Sequence, residues 1–195
     1  MNLDHEKFLI YILYKIIVYA GNYDTSLIFK ECYMIGHETS RFHVNMTQRR
    51  HRSASIVVGN RLWVLGGCCE VVGRTSEYVS INDGINSEVG PDLPISLQDH
   101  AVVSLNETTA MLIGGQNVVP WFGTYYYSHL TQHWTPGPNL VQNGAMQYYE
   151  AGIITDQITM EDHVVVIGHG YFFFEDGLYV SILENNQWKK GTEWG

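Results

Sequence analysis

The apolar positions of this chain fall in short runs that lack the three- and four-residue spacing of an amphipathic helix. Examples are SIVV at 55–58, LWVL at 62–65, AVVSL at 101–105, AMLI at 110–113 and VVVI at 164–167. Apolar runs of four or five residues next to glycine or asparagine are typical of strands that are buried on both faces. The pattern therefore predicts an all-β chain.

Several of these runs end at glycines that recur at a nearly constant spacing. LWVL is followed by Gly66-Gly67 and AMLI by Gly114-Gly115, whereas VVVI is followed by Gly168-His169-Gly170, a degraded copy of the pair. The run before Gly21 provides an earlier copy, and the successive first glycines are 45, 48 and 54 residues apart. The chain therefore contains four copies of a unit of about 50 residues.

Other residues recur in a fixed order after each glycine. A tyrosine follows about 12 residues later, and a bulky aromatic residue follows the tyrosine by eight or nine residues in three of the four copies. In the second and third copies a turn comes next, GPDLP at 90–94 and PGPNL at 136–140. The tyrosines are Tyr33, Tyr78, Tyr126 and Tyr179, and the next position holds Phe42, Ser87, Trp134 and Trp188, where Ser87 is the exception.

This order of apolar strand, Gly-Gly, tyrosine, tryptophan and Gly-Pro turn resembles the kelch repeat, over roughly residues 8–194. The resemblance implies a β-propeller in which each repeat forms one blade, a four-stranded antiparallel sheet. Kelch propellers usually close with more blades than four, so the resemblance implies an incomplete propeller; a closed four-bladed ring, which other families form, is the alternative. The expected organisation is a single kelch-repeat domain, 1–195, with approximate blades at 8–47, 48–94, 95–140 and 141–195.

The repeat also gives expectations for single positions. Gly59-Asn60 lies between two apolar runs and predicts a tight β-hairpin. Gly67 and Gly115 are expected to adopt positive φ where a strand ends. Trp134 and Trp188 are expected to fill the gaps between blades, and each ring to stabilise the fold by about 3 kcal/mol.

The charge distribution narrows the classes of partner. The chain is 45% hydrophobic and 16% charged, with a formal net charge of −9. From Thr75 to Trp188 there is no Lys or Arg, and the same stretch contains thirteen Asp and Glu residues. Binding to phosphate requires a cationic surface, so nucleic acid is not expected as a partner. The acidic stretch is interpreted as a solvated surface.

The N-terminal run FLIYILYKIIVYA at 8–20 has two interpretations. A signal peptide cleaved after Ala20 is one, although the preceding residues are not net basic and Lys15 interrupts the run. A strand of the first repeat is the other; it is preferred, and it favours a cytoplasmic over a secreted location. The run is too short for a transmembrane helix, so no integral membrane segment is expected. The sequons at Asn45 and Asn106 matter only after secretion.

No catalytic, cofactor-binding or metal-binding residue is expected, because no HExxH, paired CxxC, nucleophile or phosphate-loop motif occurs. His129 and His133 are four residues apart but lie between predicted strands, so a metal site is not expected there. The EDH sequence at 161–163 and the basic cluster Arg49–Arg52 are interpreted as solvated turns. The chain has three cysteines, and they imply no disulfide framework, because Cys68 and Cys69 are adjacent and Cys32 is far from them in sequence.

The predicted function is that of a non-catalytic protein-interaction module whose partner is another protein, with partner-binding residues unassigned. The kelch resemblance implies binding through rim loops, as in ubiquitin-ligase substrate receptors and actin-associated proteins. Such receptors often carry arginine before each blade, whereas this chain has ISLQDH at 95–100 and VQNGAM at 141–146, which argues against recognition of acidic peptides. The alternatives are part of a copper oxidase resembling galactose oxidase, or a secreted kelch adhesion-type protein; bound copper would favour the former.

The two ends of the repeat array are strongly apolar. They carry FLIYILYKIIVY at 8–19 and YFFFEDGLYVSIL at 171–183. The outer faces of terminal blades in an open array have no neighbouring blade to cover them, and exposed apolar faces associate. The chain is therefore expected to self-associate through its open blade faces, or to require additional repeats for folding.

Overall fold

The structure, a computed structural model, describes residues 15–18, 31–35, 40–45, 52–58, 61–67, 79–82, 87–117, 119–141, 146–170 and 177–191. These residues form fifteen β-strands in four antiparallel sheets and contain no helix. Accordingly, no helix in this part of the chain is long and apolar enough to cross a membrane. The all-β class that the apolar runs predict is confirmed.

Each sheet is a meander in which strands adjacent in sequence are adjacent in space. Sheet 1 consists of β1 (Lys15–Val18), β2 (Glu31–Ile35) and β3 (Ser40–Asn45). Sheet 2 consists of β4 (Ala54–Val58), β5 (Arg61–Leu65), β6 (Val79–Asn82) and β7 (Ser87–Val89). Sheet 3 consists of β8 (Ala101–Asn106), β9 (Thr109–Ile113), β10 (Thr124–Ser128) and β11 (His133–Pro136). Sheet 4 consists of β12 (Met146–Thr155), β13 (Asp162–Gly170), β14 (Gly177–Glu184) and β15 (Gln187–Lys190).

The strands of each sheet come from within one of the four approximate blade ranges. Sheets 2, 3 and 4 have four strands, and sheet 1 has three among the described residues. The strand that precedes the glycine marker is the second strand in sheets 2 and 3, and in sheet 1 it is β1, which precedes Gly21. Strands β1 to β3 therefore correspond to the second to fourth strands of the other sheets. Gly21, Tyr78, Cys68 and Cys69 lie outside the described residues.

The glycine pairs after β5 and β9 turn the chain out of the sheet. Gly66 and Gly67 have φ of +59° and +86°, and Gly114 and Gly115 have φ of +57° and +107°. L-residues rarely adopt these angles, because the Cβ atom collides with the backbone. The positive φ predicted for Gly67 and Gly115 is confirmed.

The fourth repeat departs from this pattern. Strand β13 continues through Gly168 to Gly170, and each of these residues is paired with both β12 and β14. Gly168-His169-Gly170, the degraded copy of the glycine pair, therefore makes no turn at this point and is part of strand β13. A side chain at His169, the second position of the pair, disfavours the positive φ that the turn requires.

The predicted hairpin at residues 59–60 is consistent with the strands around it. Val58 lies opposite Arg61, so β4 and β5 are separated by two residues, which themselves lie outside the described part of the chain. In sheet 3, Asn106 lies opposite Thr109, so that β8 and β9 are also joined by two residues. First and second strands of these sheets therefore form tight hairpins.

Sheets 2, 3 and 4 are joined along their first strands. β4 contacts β8, and β8 contacts β12. The Asp99 N–H donates to the Arg52 carbonyl (3.0 Å), and the Tyr149 N–H donates to the Asp99 carbonyl (3.1 Å). The remaining strands of each sheet follow in order away from these contacts. This is the arrangement of blades that radiate from a common axis.

Sheet 3 contributes to two separate cores through alternate residues of β9. Ala110 and Leu112 pack in the core between sheets 2 and 3, with Trp63, whose ring centroid lies 4.6 Å from that of Tyr127. Met111 and Ile113 pack in the core between sheets 3 and 4, together with Ala101, Val103, Tyr149, Val164, Val166 and Trp188. These four residues of β9, Ala110 to Ile113, are at most 2% exposed. The prediction that the AMLI run is buried on both faces is confirmed.

The two repeat tryptophans differ in burial. Trp188 is 5% exposed, lies in the core between sheets 3 and 4, and donates from Nε1 to the Pro138 carbonyl (3.1 Å). Trp134 is only half-buried; its ring packs on Tyr127 with centroids 5.0 Å apart. Because stabilisation scales with the apolar area removed from water, the larger contribution is now expected from Trp188.

Replacing Gly115 by valine should lower the free energy of unfolding by about 1–3 kcal/mol. A Cβ atom there would lie 2.7 Å from the His100 Cβ and 2.9 Å from the Gln98 carbonyl oxygen, in addition to the strain of φ +107°. The control is Gly152→Val on β12, where an added Cβ meets nothing within 4 Å. Urea titrations that show equal midpoints for the two variants would contradict the role assigned to the turn.

Trp188→Ala should lower the free energy of unfolding by about 3 kcal/mol, because it removes a buried ring and leaves a cavity. Trp134→Ala should cost about 1–2 kcal/mol, because the half-buried ring loses less contact. Thermal and urea unfolding of the two variants, compared with the wild type, measures the difference. A larger loss for Trp134→Ala would contradict the burial described above.

Candidate interaction surface

The strands of sheets 2 to 4 place their loops at two opposite ends. The loops after the second strands and the residues that lead into β8 and β12 lie at one end, which we call the glycine end. The turns that join first to second strands and third to fourth strands lie at the other end, the hairpin end. Loops on a rigid scaffold are where proteins usually place their binding residues. Both ends are therefore candidates.

The glycine end contains a partly buried ion pair between sheets 2 and 3, in which the carboxylate is the buried partner. Arg52 donates from Nε to Asp99 Oδ1 (2.7 Å) and forms a second contact from its terminal nitrogen to Oδ2. Gln116 donates from Nε2 to Asp99 Oδ2 (2.6 Å). The Asp99 side chain is 3% exposed and that of Arg52 is 32% exposed. The carboxylate is thus removed from water with its oxygens satisfied, the condition under which a buried charge is tolerated.

This ion pair corrects one interpretation of the basic cluster at 49–52. Arg52 is not part of a solvated turn; it joins the lead-in segment of β4 to that of β8 through Asp99. Residues 49–51 lie outside the described part of the chain. Asp99 has φ of +52° and also exchanges backbone hydrogen bonds with Arg52 and Tyr149. The three contacts make Asp99 a joint between sheets 2, 3 and 4.

His100, the next residue, is wedged between the two glycine pairs. A Cβ atom on Gly66 would lie 2.7 Å from the His100 ring, and a Cβ atom on Gly115 would lie 2.7 Å from the His100 Cβ. The side chain is 4% exposed. Burial lowers the pKa of His100 to about 4, and the nearby Leu65 carbonyl offsets only part of this effect. His100 is therefore neutral at pH 7.

Tyr149 repeats this arrangement one sheet later. It is 3% exposed, and its ring would lie 2.7 Å from a Cβ atom on Gly114. Burial raises the pKa of its hydroxyl, so the ring is uncharged at neutral pH. His100 directly precedes β8 and Tyr149 is the fourth residue of β12, and each packs on the first glycine of the preceding sheet. These rings belong to the packing of the array.

Sequence reasoning did not single out Asp99, His100 or Tyr149. The available signal was their position directly before the runs AVVSL and AGIIT, where the repeat places the start of a blade. The arginine that pairs with Asp99 is Arg52, which lies in the segment that leads into β4 of the preceding sheet.

The hairpin end of sheet 4 contains an open cleft of about 570 Å³. It lies between the turn from β12 to β13 and the turn from β14 to β15. Carboxylates dominate its lining, with one histidine and no Lys or Arg. The lining residues are Asp156, Thr159, Glu161, Asp162, His163, Leu183, Glu184 and Asn185.

Two of these carboxylates are held in their ionised form. Asp156 Oδ1 accepts hydrogen bonds from the Thr159 N–H (3.0 Å) and the Ile158 N–H (2.7 Å), and these bonds lower the pKa of Asp156. Lys189 donates to Glu184 Oε2, and this contact lowers the pKa of Glu184. Of the residues 161–163 that were predicted to form a polar turn, only Glu161 lies in the turn between β12 and β13; Asp162 and His163 are the first residues of β13, and the prediction is corrected for them. The cleft is therefore negatively charged at neutral pH.

Turns at the hairpin end expose large apolar side chains. Ile158 is 92% exposed, Leu130 is 79% exposed and Met160 is 71% exposed. Ile158 and Met160 lie in the turn between β12 and β13, and Leu130 lies in the turn between β10 and β11. Tyr126 on sheet 3 makes a hydrogen bond of 3.0 Å to Asn186 on the β14–β15 turn. We call these three apolar residues together with the acidic cleft the hairpin surface.

The histidine pair considered for metal binding lies at the same end. His129 is in the turn after β10, and His133 begins β11 opposite Ser128. They therefore flank a β-hairpin and do not share a helix face. In the described ranges, no three His, Cys, Asp or Glu side chains are grouped so that they could hold a metal ion.

Comparison with known proteins identifies the architecture. No family model matches the chain, and no curated protein matches its sequence. Solved structures do match: YjhT, a protein of β-propeller type, superposes with a TM-score of 0.70 at 10% sequence identity. The match covers 86% of this chain and 63% of YjhT, so the chain spans less than two thirds of that protein. The fold is that of β-propeller blades. The four sheets match an incomplete propeller.

The propeller should lose stability as His100 becomes protonated. The folded-state pKa of about 4 lies below the ordinary value of 6.5, so the unfolded chain binds the proton more tightly. The contribution of neutral His100 to the free energy of unfolding is fully present above about pH 7. It should fall by about 3 kcal/mol as the pH drops from about 6.5 to 4. Urea unfolding at several pH values measures the slope. The His100→Gln variant should show a shallower slope over this interval; an unchanged slope would contradict the assignment.

Proposed function

We propose that this chain is a non-catalytic protein-interaction module built from kelch repeats, and that a partner protein binds the hairpin surface. The kelch assignment is supported by the order of the repeat markers and by the positive φ of the glycines after β5 and β9. It is further supported by the propeller architecture of the sheets.

The observation that carries the proposal is the exposure of apolar side chains beside a charged cleft. Ile158, Leu130 and Met160 are more exposed than the other large apolar residues in the described part of the chain. They lie at the end of the array where short turns on a rigid scaffold present side chains to solvent. Apolar side chains next to polar groups are typical of protein-binding surfaces.

The charge of the hairpin surface favours a partner segment that carries cations. The carboxylates at Asp156, Glu161 and Asp162 surround the Ile158 and Met160 turn, and Lys189 is engaged by Glu184. A cationic segment would gain in association rate from the complementary potential, and its binding would weaken as added salt screens the charges.

The proposed absence of catalysis rests on where the polar groups lie. Asp99, His100 and Tyr149 are buried titratable groups of the glycine end and are enclosed by the contacts between sheets. At the hairpin end, Asp156 is used to hold its own turn and Glu184 to bind Lys189. Metal analysis of the purified protein tests this part of the proposal independently, since stoichiometric copper would favour the oxidase alternative.

The double variant Ile158→Ser/Met160→Ser should lose at least tenfold in affinity for the partner, because apolar residues at an interface centre carry most of its binding energy. The partner is first isolated by affinity capture with the wild-type chain and identified, and binding is then measured with both purified proteins at two salt concentrations. Higher salt should weaken the wild-type interaction.

The matched control for this experiment is Val119→Ser. Val119 is 65% exposed but lies in the loop after β9, at the glycine end. The control should bind as the wild type does. If the control loses affinity and the hairpin variant retains it, the binding surface is at the other end and the present proposal is wrong.

A further inference from the structure

The cleft of the hairpin surface has a histidine among its carboxylates. His163 is the second residue of β13, is half-buried and lines the cleft, whose lining includes no Lys or Arg. Histidine is the side chain whose charge ordinarily changes between pH 5 and 8, whereas carboxyl groups are ordinarily ionised above about pH 5. Within this interval, the charge of the cleft can therefore change through His163.

His163 lies between carboxylates that come from two different parts of sheet 4. On one side, the turn from β12 to β13 and the first residue of β13 contribute Asp156, Glu161 and Asp162. On the other side, β14 contributes Glu184, because the register of β13 and β14 places His163 beside it at the ends of the two strands. Neighbouring side chains in such a cross-strand arrangement interact directly. A charge on His163 is thus central in the cleft.

The electrostatic effect of His163 reaches carboxylates on both sides. The pKa of Asp156 is lowered mainly by hydrogen bonds from two backbone N–H groups of its own turn, and the charge of His163 adds to this effect. The pKa of Glu184 is lowered mainly by Lys189 of β15, and the charge of His163 again adds to the effect. Both carboxylates therefore stay ionised while His163 changes its charge.

We propose that His163 makes the hairpin surface sensitive to pH. While His163 is neutral, the cleft presents its carboxylates to a cationic segment of the partner. Once His163 is protonated, a positive charge lies between the carboxylates, offsets part of their attraction and repels the incoming cation. Affinity for the partner is therefore higher at about pH 7.5 than at about pH 5.5. The effect on affinity rests on the proposed function, whereas the change in the potential of the cleft does not.

The potential of the cleft can be measured without the partner, in the full chain with Thr159→Cys. Thr159 lines the cleft and is exposed. The new thiol reacts with a cationic and, separately, with an anionic methanethiosulfonate reagent, and peptide mass spectrometry separates its adducts from those of the native cysteines. Both reagents react with the same thiolate, so the ratio of the two rates cancels the thiolate fraction and reports the local potential.

We expect the ratio of the cationic to the anionic rate to fall at least about threefold between about pH 7.5 and pH 5.5, because a unit charge a few ångströms away has an effect of this order in water. His163→Gln removes the titrating charge and should make the ratio equal at the two pH values. His163→Lys keeps a positive charge and should give the low ratio at both. A ratio that still falls in the His163→Gln chain as it does with His163 present overturns the proposal.

The matched control is His133→Gln in the same Thr159→Cys chain. His133 begins β11 at the same end of the array but does not line the cleft. The control should retain the full response to pH. If the control abolishes the response, histidines across the hairpin end set the potential together, and the specific role of His163 is wrong.

Affinity for the isolated partner is then measured at the same two pH values. The wild type should bind at least about threefold more weakly at about pH 5.5, and His163→Gln should bind equally at both. If the potential of the cleft responds to pH but the affinity does not, the regulatory role of His163 is overturned. A partner whose affinity is unaffected by the double substitution of Ile158 and Met160 contradicts the proposed function instead, and the thiol rates still test the cleft.

Discussion

The arrangement of sheets 2 to 4 depends on one contact, in which a ring at the start of one sheet packs on a glycine of the sheet before it. His100 on Gly66 and Tyr149 on Gly114 approach to distances at which a Cβ atom could not be accommodated. The glycines must also hold positive φ so that the chain leaves the sheet at that point. The close approach of the ring and the turn of the backbone therefore both require glycine at this position.

This contact also separates the two ends of the array. At the glycine end the joint encloses Asp99 and His100, so that polar groups there are used to connect sheets. At the hairpin end the turns connect strands within a single sheet and remain open to solvent, with Ile158 and Met160 exposed. Side chains of the exposed turns at the hairpin end, such as Ile158 and Met160, can therefore be substituted without disturbing the contacts that hold the sheets together.

The repeat could be predicted from sequence because its markers serve local geometry. Glycines after an apolar run, two-residue hairpins and alternating burial depend on backbone conformation and strand period, which are visible in one stretch of chain. The ion pair from Arg52 to Asp99 spans 47 residues, and no local pattern indicates it. The fourth repeat was harder to align because His169 replaces the second glycine of the pair and the spacing from the preceding repeat is 54 residues. The hairpin surface was missed because exposure of Ile158 depends on the length of the β12–β13 hairpin.

The ring-on-glycine contact also bears on how such a chain can change over generations. Each contact joins residues of two different repeats, Gly66 with His100 and Gly114 with Tyr149. Substitutions at these positions are therefore coupled across the repeat boundary, and the coupled unit runs from the glycine of one sheet to the ring of the next. Exchange of one whole repeat for another would separate partners that fit each other. Recombination points placed between the ring and the following glycine would keep each fitted pair together.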